Sequence, residues 1–263
     1  MIQSLQCETK IASRYKGPTQ IARVVTEHWC AENLYCVACA ADHLERSPAN
    51  TKVFDFRCRN CSETYQVKGQ KHLNLNRITD GAYSVLRAAV QQNVAPNLLV
   101  MNYGEQCKVH NLILVPSVFF TESVLEKRNP LRANARRAGW IGCNILLFNV
   151  PPDGRIPLVR DDEVQSAQTV RETYKKYTKL ESVDWNIRGW TVDVLRLARM
   201  IGANEFSLDQ MYKLEAELIK LHPYNRNIRA KIRQQLQALR DLKIIEFLGH
   251  GRYRFVSRVT YQI

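Results

Sequence analysis

The sequence has no long apolar run and comparatively few acidic residues. No apolar stretch approaches the about 18 residues that a membrane-spanning helix needs. The first residues, MIQSLQCETKIASRYK, mix polar and charged side chains, whereas a targeting segment would carry an apolar block. We also find no internal repeat and no low-complexity tract. These absences argue against a membrane-spanning or exported chain and favour a globular protein of the cytoplasm.

The shortage of acidic side chains leaves the protein strongly basic. Asp and Glu number 25 against 38 Lys and Arg, so the formal net charge is +13. Such an excess indicates a polyanionic partner, above all a nucleic acid. The alternative is a basic protein without such a partner. With 263 residues, of which 45% are hydrophobic, the chain is long enough for one large domain or two smaller ones.

Apolar periodicity divides the chain near residue 182. Before this point helical and strand-like patterns interleave, which predicts a mixed α/β layer fold for residues 1–182. Four helices are expected: Thr19 to about Leu34, a helix that follows Asp80 as its N-cap, SVFFTESVLEKR and EVQSAQTVRETYKKY. Six strands are expected: Val53–Phe56, Tyr65–Lys68, NLLVMNY, NLILVP, CNILLFNV and RIPLV. Residues 183–263 show three helical patterns, TVDVLRLARMI, SLDQMYKLEAELIKL and NIRAKIRQQLQALRDLK, and two short strands, IIEFL and RYRFV. Together they predict a winged helix-turn-helix domain.

Eight cysteines in a chain of the reducing cytoplasm favour metal binding over disulfides. Four of them form two C-x2-C knuckles separated by 18 residues: Cys36, Cys39, Cys58 and Cys61. This spacing predicts a structural Zn²⁺ site, because four thiolates complete a tetrahedron and leave no open position for catalysis. The other four cysteines lack such spacing and are expected to be small buried side chains: Cys7, Cys30, Cys107 and Cys143.

The second knuckle lies between two segments that alternate like the arms of a β-hairpin, Val53–Arg57 and Ser62–Lys68. Alternation assigns the apolar side chains to the core face: Phe54, Phe56, Tyr65 and Val67. The opposite face then carries Asp55, Gln66 and Lys68 together. A metal-bound knuckle at the tip would fix the strand register that this arrangement requires.

An Asp followed on the next strand by an oxygen ligand and, two residues later, a lysine is typical of PD-(D/E)xK nucleases. The acid and the second ligand would hold Mg²⁺ on a phosphate, while the lysine orients or helps deprotonate the attacking water. The alternative is the polar outer face of an ordinary zinc ribbon.

Several longer strings resemble one family. The chain resembles the DpnI-like methyl-directed restriction endonucleases in the paired knuckles and in these strings: ARRAGWIGCNI (Ala135–Ile145), GRIPLV, RGWT, DGAY, and KIRQQLQALRD running into IIEFLGHGRYR. The similarity extends from about Lys16 to Arg254. It implies a prokaryotic, Mg²⁺-dependent type II enzyme that cuts double-stranded DNA at GATC sites carrying N6-methyladenine. It also implies a PD-(D/E)xK catalytic domain and a winged helix, each able to read the methylated sequence. We expect a monomer without an obligate protein partner.

Carried over by motif position, the family's catalytic Asp falls on Asp55 and its lysine on Lys68. The second acid falls on Gln66, where this sequence departs from the pattern. A glutamine oxygen can coordinate Mg²⁺ but brings no negative charge, so the metal affinity should be lower. Glu27 on the first helix is a reserve carboxylate, unless it serves only the solubility of the helix surface. Glu63 is nearby but is expected on the core side.

A basic segment precedes the GW dipeptide. It holds Lys127, Arg128, Arg132, Arg136 and Arg137, and no acidic residue follows before Asp153. Such a segment indicates phosphate binding, with a solvated basic loop as the alternative. The resemblance implies that Trp140 contacts the methyl group, which an aromatic ring can do in the major groove. The alternative for Trp140 is core packing.

Residues 226–254 carry eight basic residues against two acidic ones, a net charge of +6. A recognition helix presents its N-terminal turns to base edges, which nominates Asn227, Arg229, Arg233 and Gln234. Arg favours guanine, whereas Asn and Gln favour adenine. In the wing, His250 and Arg252 are expected on phosphate. The opposite helix face should be buried through Ile228, Ile232, Leu236 and Leu239, and the alternative for the whole domain is protein binding alone.

Two functions of different classes follow from these patterns. The first is the methyl-directed endonuclease. The second is a catalytically weak or inactive reader of adenine-methylated DNA, or a DNA-binding regulator, which Gln66 favours and which Asp55 and Lys68 oppose. A third possibility keeps the nuclease but changes its target or its methyl requirement.

Overall fold

The structure is a computed structural model that describes residues 2–48, 51 and 53–257. Parts of both predicted domains lie outside the described residues, namely Met1, Ala49, Asn50, Lys52 and residues 258–263. The helices are α1 (Pro18–Asn33), α2 (Tyr83–Gln91), α3 (Ala167–Thr178), α4 (Trp185–Met200), α5 (Leu208–Lys213), α6 (Glu215–Leu221) and α7 (Ile228–Asp241). The strands are β1 (Glu45–Arg46), β2 (Phe56–Arg57), β3 (Thr64–Gln70), β4 (Ile78–Ala82), β5 (Asn97–Tyr103), β6 (Val109–Val115), β7 (Leu125–Lys127), β8 (Gly142–Ile145), β9 (Ile156–Arg160), β10 (Glu163–Val164), β11 (Glu205–Ser207), β12 (Ile245–Gly249) and β13 (Arg252–Phe255).

Within the described part of the chain, seven strands form the main sheet in the order β1-β2-β3-β5-β6-β9-β10. The β3–β5 pair is parallel and the other pairs are antiparallel. The apolar run of β5 is buried almost throughout, as expected for a central strand. Helix α1 packs closely on β3. The contact is closest at Gly69, where a Cβ atom would lie only 2.8 Å from Thr26 Cγ2. This close approach brings one face of α1 next to the polar face of β3.

A second, three-stranded sheet has the order β4-β8-β7 among the described strands. It corrects the prediction that Asp80 caps a helix. Asp80 lies in β4, where it pairs with Cys143, and helix α2 begins only at Tyr83 with Ala82 as its N-cap. The physical reason is that Ile78 and Asp80 alternate inward and are both buried, which is strand periodicity.

The segment Ser117–Arg128 was predicted to be a helix, and this is wrong. Two 3-10 turns, Ser117–Phe119 and Glu122–Val124, lead into β7 instead. Residues 118–121 are buried one after another, so no single helical face could carry them. Similarly, the strand predicted over CNILLFNV ends at Ile145 and a 3-10 turn follows.

The first hairpin arm is shorter than predicted. Only Phe56–Arg57 is a strand, because Val53 has a φ of +80°, far from extended geometry. Phe56 is fully buried opposite Tyr65, whereas Phe54 lies outside the strand and is partly exposed. The predicted hairpin register is nevertheless present, since Phe56 pairs with Tyr65 and Arg57 with Thr64.

The C-terminal part consists of α4 to α7 and a described sheet of order β11-β13-β12. The predicted helix SLDQMYKLEAELIKL is divided at Leu214 into α5 and α6, and a capping box between Ser207 and Gln210 begins α5. The predicted inner face of α7 is buried, with Ile228, Ile232, Leu236 and Leu239 in the core. The fold class predicted from the sequence, α/β followed by a helix-turn-helix with a wing, is confirmed.

The two parts share a hydrophobic core. One buried cluster includes Ile78 and Leu180 as well as Trp190, Leu236 and Phe255. The domain boundary near residue 182 therefore stays a prediction. Among the described helices, none combines the length and the apolar character needed to cross a bilayer.

Candidate active site and DNA-binding surfaces

Four cysteine sulfurs meet at the tip of the β2–β3 hairpin. The Sγ atoms of Cys36, Cys39, Cys58 and Cys61 all lie within 4.8 Å of one another. Cys36 and Cys61 are 3.5 Å apart at sulfur, and Cys39 and Cys58 are 3.6 Å apart. A zinc tetrahedron with bonds of about 2.3 Å requires sulfurs about 3.8 Å apart, so this cluster could hold the ion.

Local contacts order the first knuckle and act on the thiols in different directions, since burial raises the pKa of Cys36 and of Cys61. The Tyr65 hydroxyl lies 3.2 Å from Cys36 Sγ and accepts the Val37 N–H at 3.2 Å, so β3 supports the first knuckle. Burial opposes ionisation of the Cys58 thiol, but the backbone N–H groups of Cys61 and Asn60 lower its pKa to about 7. A thiolate is the form that binds a metal.

The polar face of the hairpin borders a cleft of about 640 Å³ between α1 and β3. Asp55, Gln66 and Lys68 all line this cleft, so the structure brings the three predicted site residues together. The Val67 N–H donates to Asp55 Oδ2 at 2.8 Å and fixes the carboxylate beside β3. Burial raises the pKa of the Asp55 carboxyl, while the Val67 N–H and the Lys68 charge act in the opposite direction.

Glu27 also lines the cleft, and its side chain is buried. This burial contradicts the alternative that Glu27 serves only the solubility of the helix surface, and its role as a reserve carboxylate stays a prediction. Its carboxylate forms ion pairs with Arg23 at 2.6 Å and with Arg46. Glu63 lies elsewhere, where Asn97 Nδ2 donates to its carboxylate at 2.8 Å. The cleft therefore holds two carboxylates, of which Glu27 is already engaged by two arginines.

Asp80 contacts two of the three predicted site residues, which the sequence did not predict. Its Oδ1 lies 2.5 Å from Lys68 Nζ and accepts a hydrogen bond from Gln66 Nε2 at 3.0 Å. Only strand alternation between Ile78 and Asp80 could have signalled this position. The preference of Asp for helix N-caps favoured a helix start at this position instead.

The basic segment forms the loop between β7 and β8. Arg136 and Arg137 are exposed, and the Arg137 guanidinium lies 4.8 Å from the centre of the half-buried Trp140 ring. Gly142 lies beneath this ring, since a Cβ there would be 2.9 Å from Trp140 Cζ3. The ring is therefore held between a cation and a glycine backbone, and part of it remains accessible.

The predicted DNA-reading residues of the C-terminal part are all exposed: Asn227, Arg229, Arg233, Gln234, His250 and Arg252. Several of them are held by neighbouring side chains. Arg229 pairs with Glu215 at 2.9 Å, and Arg233 donates to the Tyr212 hydroxyl at 2.7 Å. Arg252 pairs with Glu205 at 2.8 Å, which orders the wing. These contacts keep the guanidinium groups at the surface of α7 and of the wing.

A basic α/β protein with a polar cleft, a four-cysteine cluster and a winged helix-turn-helix belongs to the class of DNA-acting proteins. Comparison with protein families agrees with this class. The profile of the Dam-replacing family, DpnI, matches residues 3–183, and that of the Dam-replacing HTH domain matches residues 186–255. The chain therefore belongs to the Dam-replacing family, and the resemblance drawn from the sequence is confirmed. Membership supports a methyl-directed protein that acts on DNA.

Proposed function

We propose that the protein is a methyl-directed type II restriction endonuclease. It hydrolyses phosphodiester bonds of double-stranded DNA at GATC sites that carry N6-methyladenine, and it depends on Mg²⁺. The observation that carries this proposal is the convergence of Asp55, Gln66 and Lys68 on one cleft in a member of the Dam-replacing family. Because a fold alone does not define an activity, the site has to carry the argument.

The donor set of the cleft fits Mg²⁺, which prefers carboxylate and amide oxygens. Asp55 and Gln66 would hold the ion, which supplies charge neutralisation and Lewis-acid polarisation at a bound phosphate. Lys68 would orient the attacking water, and its positive charge would stabilise the hydroxide that forms from this water. Glu27, paired with Arg23 and Arg46, shapes the wall of the cleft beside Asp55.

The four-cysteine cluster would hold a structural Zn²⁺. Its position at the hairpin tip couples the metal to the register of β2 and β3. Because a slip of one residue would turn Gln66 and Lys68 toward the core, the cluster keeps the cleft assembled.

DNA is read by two surfaces in this proposal. Trp140 contacts the adenine methyl group, with Arg136 and Arg137 on the phosphates. In the winged helix, Asn227, Arg229, Arg233 and Gln234 face base edges, and His250 and Arg252 bind phosphate. The protein acts as a monomer in the prokaryotic cytoplasm.

Cleavage of matched duplexes tests the proposal. Three duplexes with one GATC site, fully methylated, hemimethylated and unmethylated at adenine, are incubated with the protein and Mg²⁺. We expect fragments from the fully methylated duplex and little cutting of the unmethylated one. Equal cutting of all three would remove the methyl requirement, and intact DNA across a wide range of Mg²⁺ and Mn²⁺ would refute the nuclease.

A second candidate function is a reader of adenine-methylated DNA without cleavage. The observation in its favour is Gln66, which leaves the metal site one carboxylate short. In that case the protein would bind the methylated duplex selectively in a mobility-shift assay and leave it intact with every divalent ion.

A further inference from the structure

A second pocket, of about 300 Å³, adjoins the candidate active site. Three residues line both this pocket and the larger cleft: Arg23, Glu27 and Asp55. The Ser47 N–H donates to the Asp55 carbonyl oxygen at 2.8 Å, so the end of β1 is tied to the site. Because consecutive phosphates of a strand rise only about 3.4 Å along the duplex axis, a strand with one phosphate at Asp55 would bring the next one to this pocket.

Two arginines converge on the carboxylate of Glu27 beside the pocket. Arg23 Nε lies 2.6 Å from Glu27 Oε1, and Arg46 forms the second ion pair through Glu27 Oε2. The Glu27 side chain is only 8% exposed, whereas the Arg23 and Arg46 side chains are 59% and 50% exposed. The buried carboxylate thus restrains two long side chains that remain accessible from solvent. Since it neutralises only one of the two cations, the three residues keep one positive charge.

Both arginines have hydrogen-bond donors left over. A guanidinium presents five N–H groups, and Arg23 donates to Glu27 through Nε, whereas Arg46 does so through one terminal nitrogen. Within the part of the chain that the structure describes, neither side chain makes a further hydrogen bond. The unused donors suit a phosphate, whose oxygens the planar guanidinium can bind in pairs. The net charge of +13 and the winged helix favour a phosphate of DNA over any other anion.

The pocket holds one more unpaired polar group. Ser47 lines it, and the Ser47 hydroxyl is shielded from solvent and has no hydrogen-bond partner among the described residues. A shielded hydroxyl without a partner is unfavourable, because it has lost its hydrogen bonds to water. Hydroxyl groups are common donors to DNA phosphates, so a phosphate in the pocket would supply the partner that Ser47 lacks.

We propose that Arg23 and Arg46 bind the DNA phosphate next to the scissile one, and that Glu27 is the positioning residue that holds them for it. In this role Glu27 contacts neither the metal nor DNA and acts only through the two guanidinium groups. The inference rests on the proposed nuclease function, because Asp55 marks where the scissile phosphate lies. A contact to the backbone holds the strand in place along the cleft and carries no sequence information.

Neutral phosphates in the DNA test this contact directly. A series of methylated GATC duplexes carries one methylphosphonate each, at successive positions, and the scissile position is read from the fragments of the unmodified duplex in Mg²⁺. Affinities are measured by fluorescence anisotropy in Ca²⁺. For the wild type, neutralising the phosphate next to the scissile one should weaken binding about tenfold, since it removes a hydrogen bond between charged groups. In Arg23→Gln and Arg46→Gln the same replacement should weaken binding much less, because the partner of the phosphate is already gone.

The salt dependence of binding separates a phosphate contact from a merely structural role. Each Gln variant should reduce the slope of log affinity against log salt by about one, for methylated GATC and scrambled duplexes alike. Arg23→Lys and Arg46→Lys keep the positive charge and should keep the slope. Arg87→Gln removes the same charge from an exposed pair with Glu122 and lines neither the pocket nor the cleft. It is the matched control and should change neither the slope nor the effect of the neutral phosphate.

Thermal unfolding shows whether each variant keeps its fold. A single Gln variant leaves Glu27 paired with one arginine, so the buried carboxylate retains a cation. If a variant still fails to fold, the comparison is made in the Glu27→Gln background, where no buried charge is left unpaired. There Arg23→Gln and Arg46→Gln should again lower the slope by about one relative to Glu27→Gln alone.

The outcomes separate this inference from the proposed function. If the wild type cuts and the Gln variants keep both the salt slope and the sensitivity to the neutral phosphate, the arginine contact is wrong and the nuclease stands. Loss of sensitivity at a phosphate distant from the cut would overturn the location of the contact. If the Gln variants lower the slope and lose sensitivity at one phosphate, but no protein cuts with any divalent ion, the nuclease is wrong and the phosphate contact stands. A wild type that binds no DNA refutes both.

Discussion

Arg199 and Asp153 form a bidentate ion pair that joins helix α4 to the sheet-rich part of the protein. Arg199 Nε lies 2.8 Å from Asp153 Oδ2, and its terminal nitrogen lies 2.7 Å from Oδ1. The Asp153 side chain is fully buried and also accepts the Tyr177 hydroxyl at 2.7 Å. The guanidinium lies 3.6 Å from the centre of the Phe255 ring. The pair and this ring contact thus connect the sheet-rich part of the protein with β13, the last described strand of the C-terminal part.

Removing Arg199 should destabilise the protein strongly. Arg199→Leu leaves the Asp153 carboxylate buried without its cation, a change that costs about 3–5 kcal/mol in proteins. The free energy of unfolding is measured by urea denaturation. Arg240→Leu, which breaks an exposed pair with Asp241, is the control and should cost less than about 1 kcal/mol. Similar losses in both variants would contradict this interpretation.

Lys68 should be required for cutting but not for binding. Lys68→Ala removes the ammonium from the cleft and should lower the cleavage rate by at least about a hundredfold, as expected for a group that stabilises developing negative charge. Its affinity for methylated DNA, measured in Ca²⁺ by fluorescence anisotropy, should change little. Lys71→Ala removes an exposed lysine of the same cleft and should still cut. Unchanged cutting by Lys68→Ala would mean that the site is elsewhere.

The sequence predicted the hairpin, the cysteine cluster and the winged helix because each depends on short-range spacing. Two knuckles, an alternating pair of arms and the burial of Ile232 or Leu236 follow from local periodicity. The convergence of Asp55, Gln66 and Lys68 was predictable for the same reason, since all three lie on one hairpin. Their chemical roles stay predictions.

Contacts between distant segments were not predictable in this way. Asp80 reaches Lys68 from a second sheet, and the short alternation of Ile78 and Asp80 does not show with which strands β4 pairs. Helical spacing also failed for Ser117–Arg128, where consecutive burial replaces one apolar face. The ion pair of Glu27 with Arg46 joins α1 to β1, which a pattern along one helix does not show, whereas its i,i+4 pair with Arg23 lies within α1.

Loss of one cysteine ligand should release zinc and disassemble the cleft. We expect about one zinc per chain, measured by mass spectrometry of metals, and none in Cys58→Ser. A structural zinc contributes on the order of 10 kcal/mol to folding in small zinc domains, so the thermal midpoint should fall and cutting should be lost. Cys107→Ser lies outside the cluster and should retain both zinc and activity. A zinc-free wild type that cuts normally would contradict this role.

Arg233 on helix α7 and Arg252 in the wing should differ in how they affect DNA binding. If Arg233 contacts guanine, Arg233→Ala should cost about 1–3 kcal/mol of binding free energy for methylated GATC and relax the sequence specificity. Arg252→Ala should weaken binding to all DNA sequences equally and reduce the slope of log affinity against log salt by about one. Affinities are measured for GATC and scrambled duplexes over a range of salt. Lys220→Ala, a lysine paired with Glu217 on α6, is the control. Equal effects of both arginines on both duplexes would contradict the assignment.

Trp140 should determine the preference for methylated DNA, and Gly142 should determine where the ring lies. Trp140→Ala removes the apolar surface that a methyl group would contact, so affinity for the methylated duplex should fall toward that for the unmethylated one. Gly142→Ala keeps the Trp140 ring but places a Cβ atom 2.9 Å from Trp140 Cζ3 and 3.0 Å from Trp140 Cη2. These distances are too short for the ring to stay in its present position. In both variants the cleavage rate of methylated DNA should therefore fall toward that of unmethylated DNA, while zinc and the fold are retained. Trp185→Ala, a tryptophan at the start of α4, should keep this ratio. If Trp140→Ala instead unfolds the protein and Trp140→Phe restores both fold and full preference, Trp140 packs the loop and the methyl group is read elsewhere.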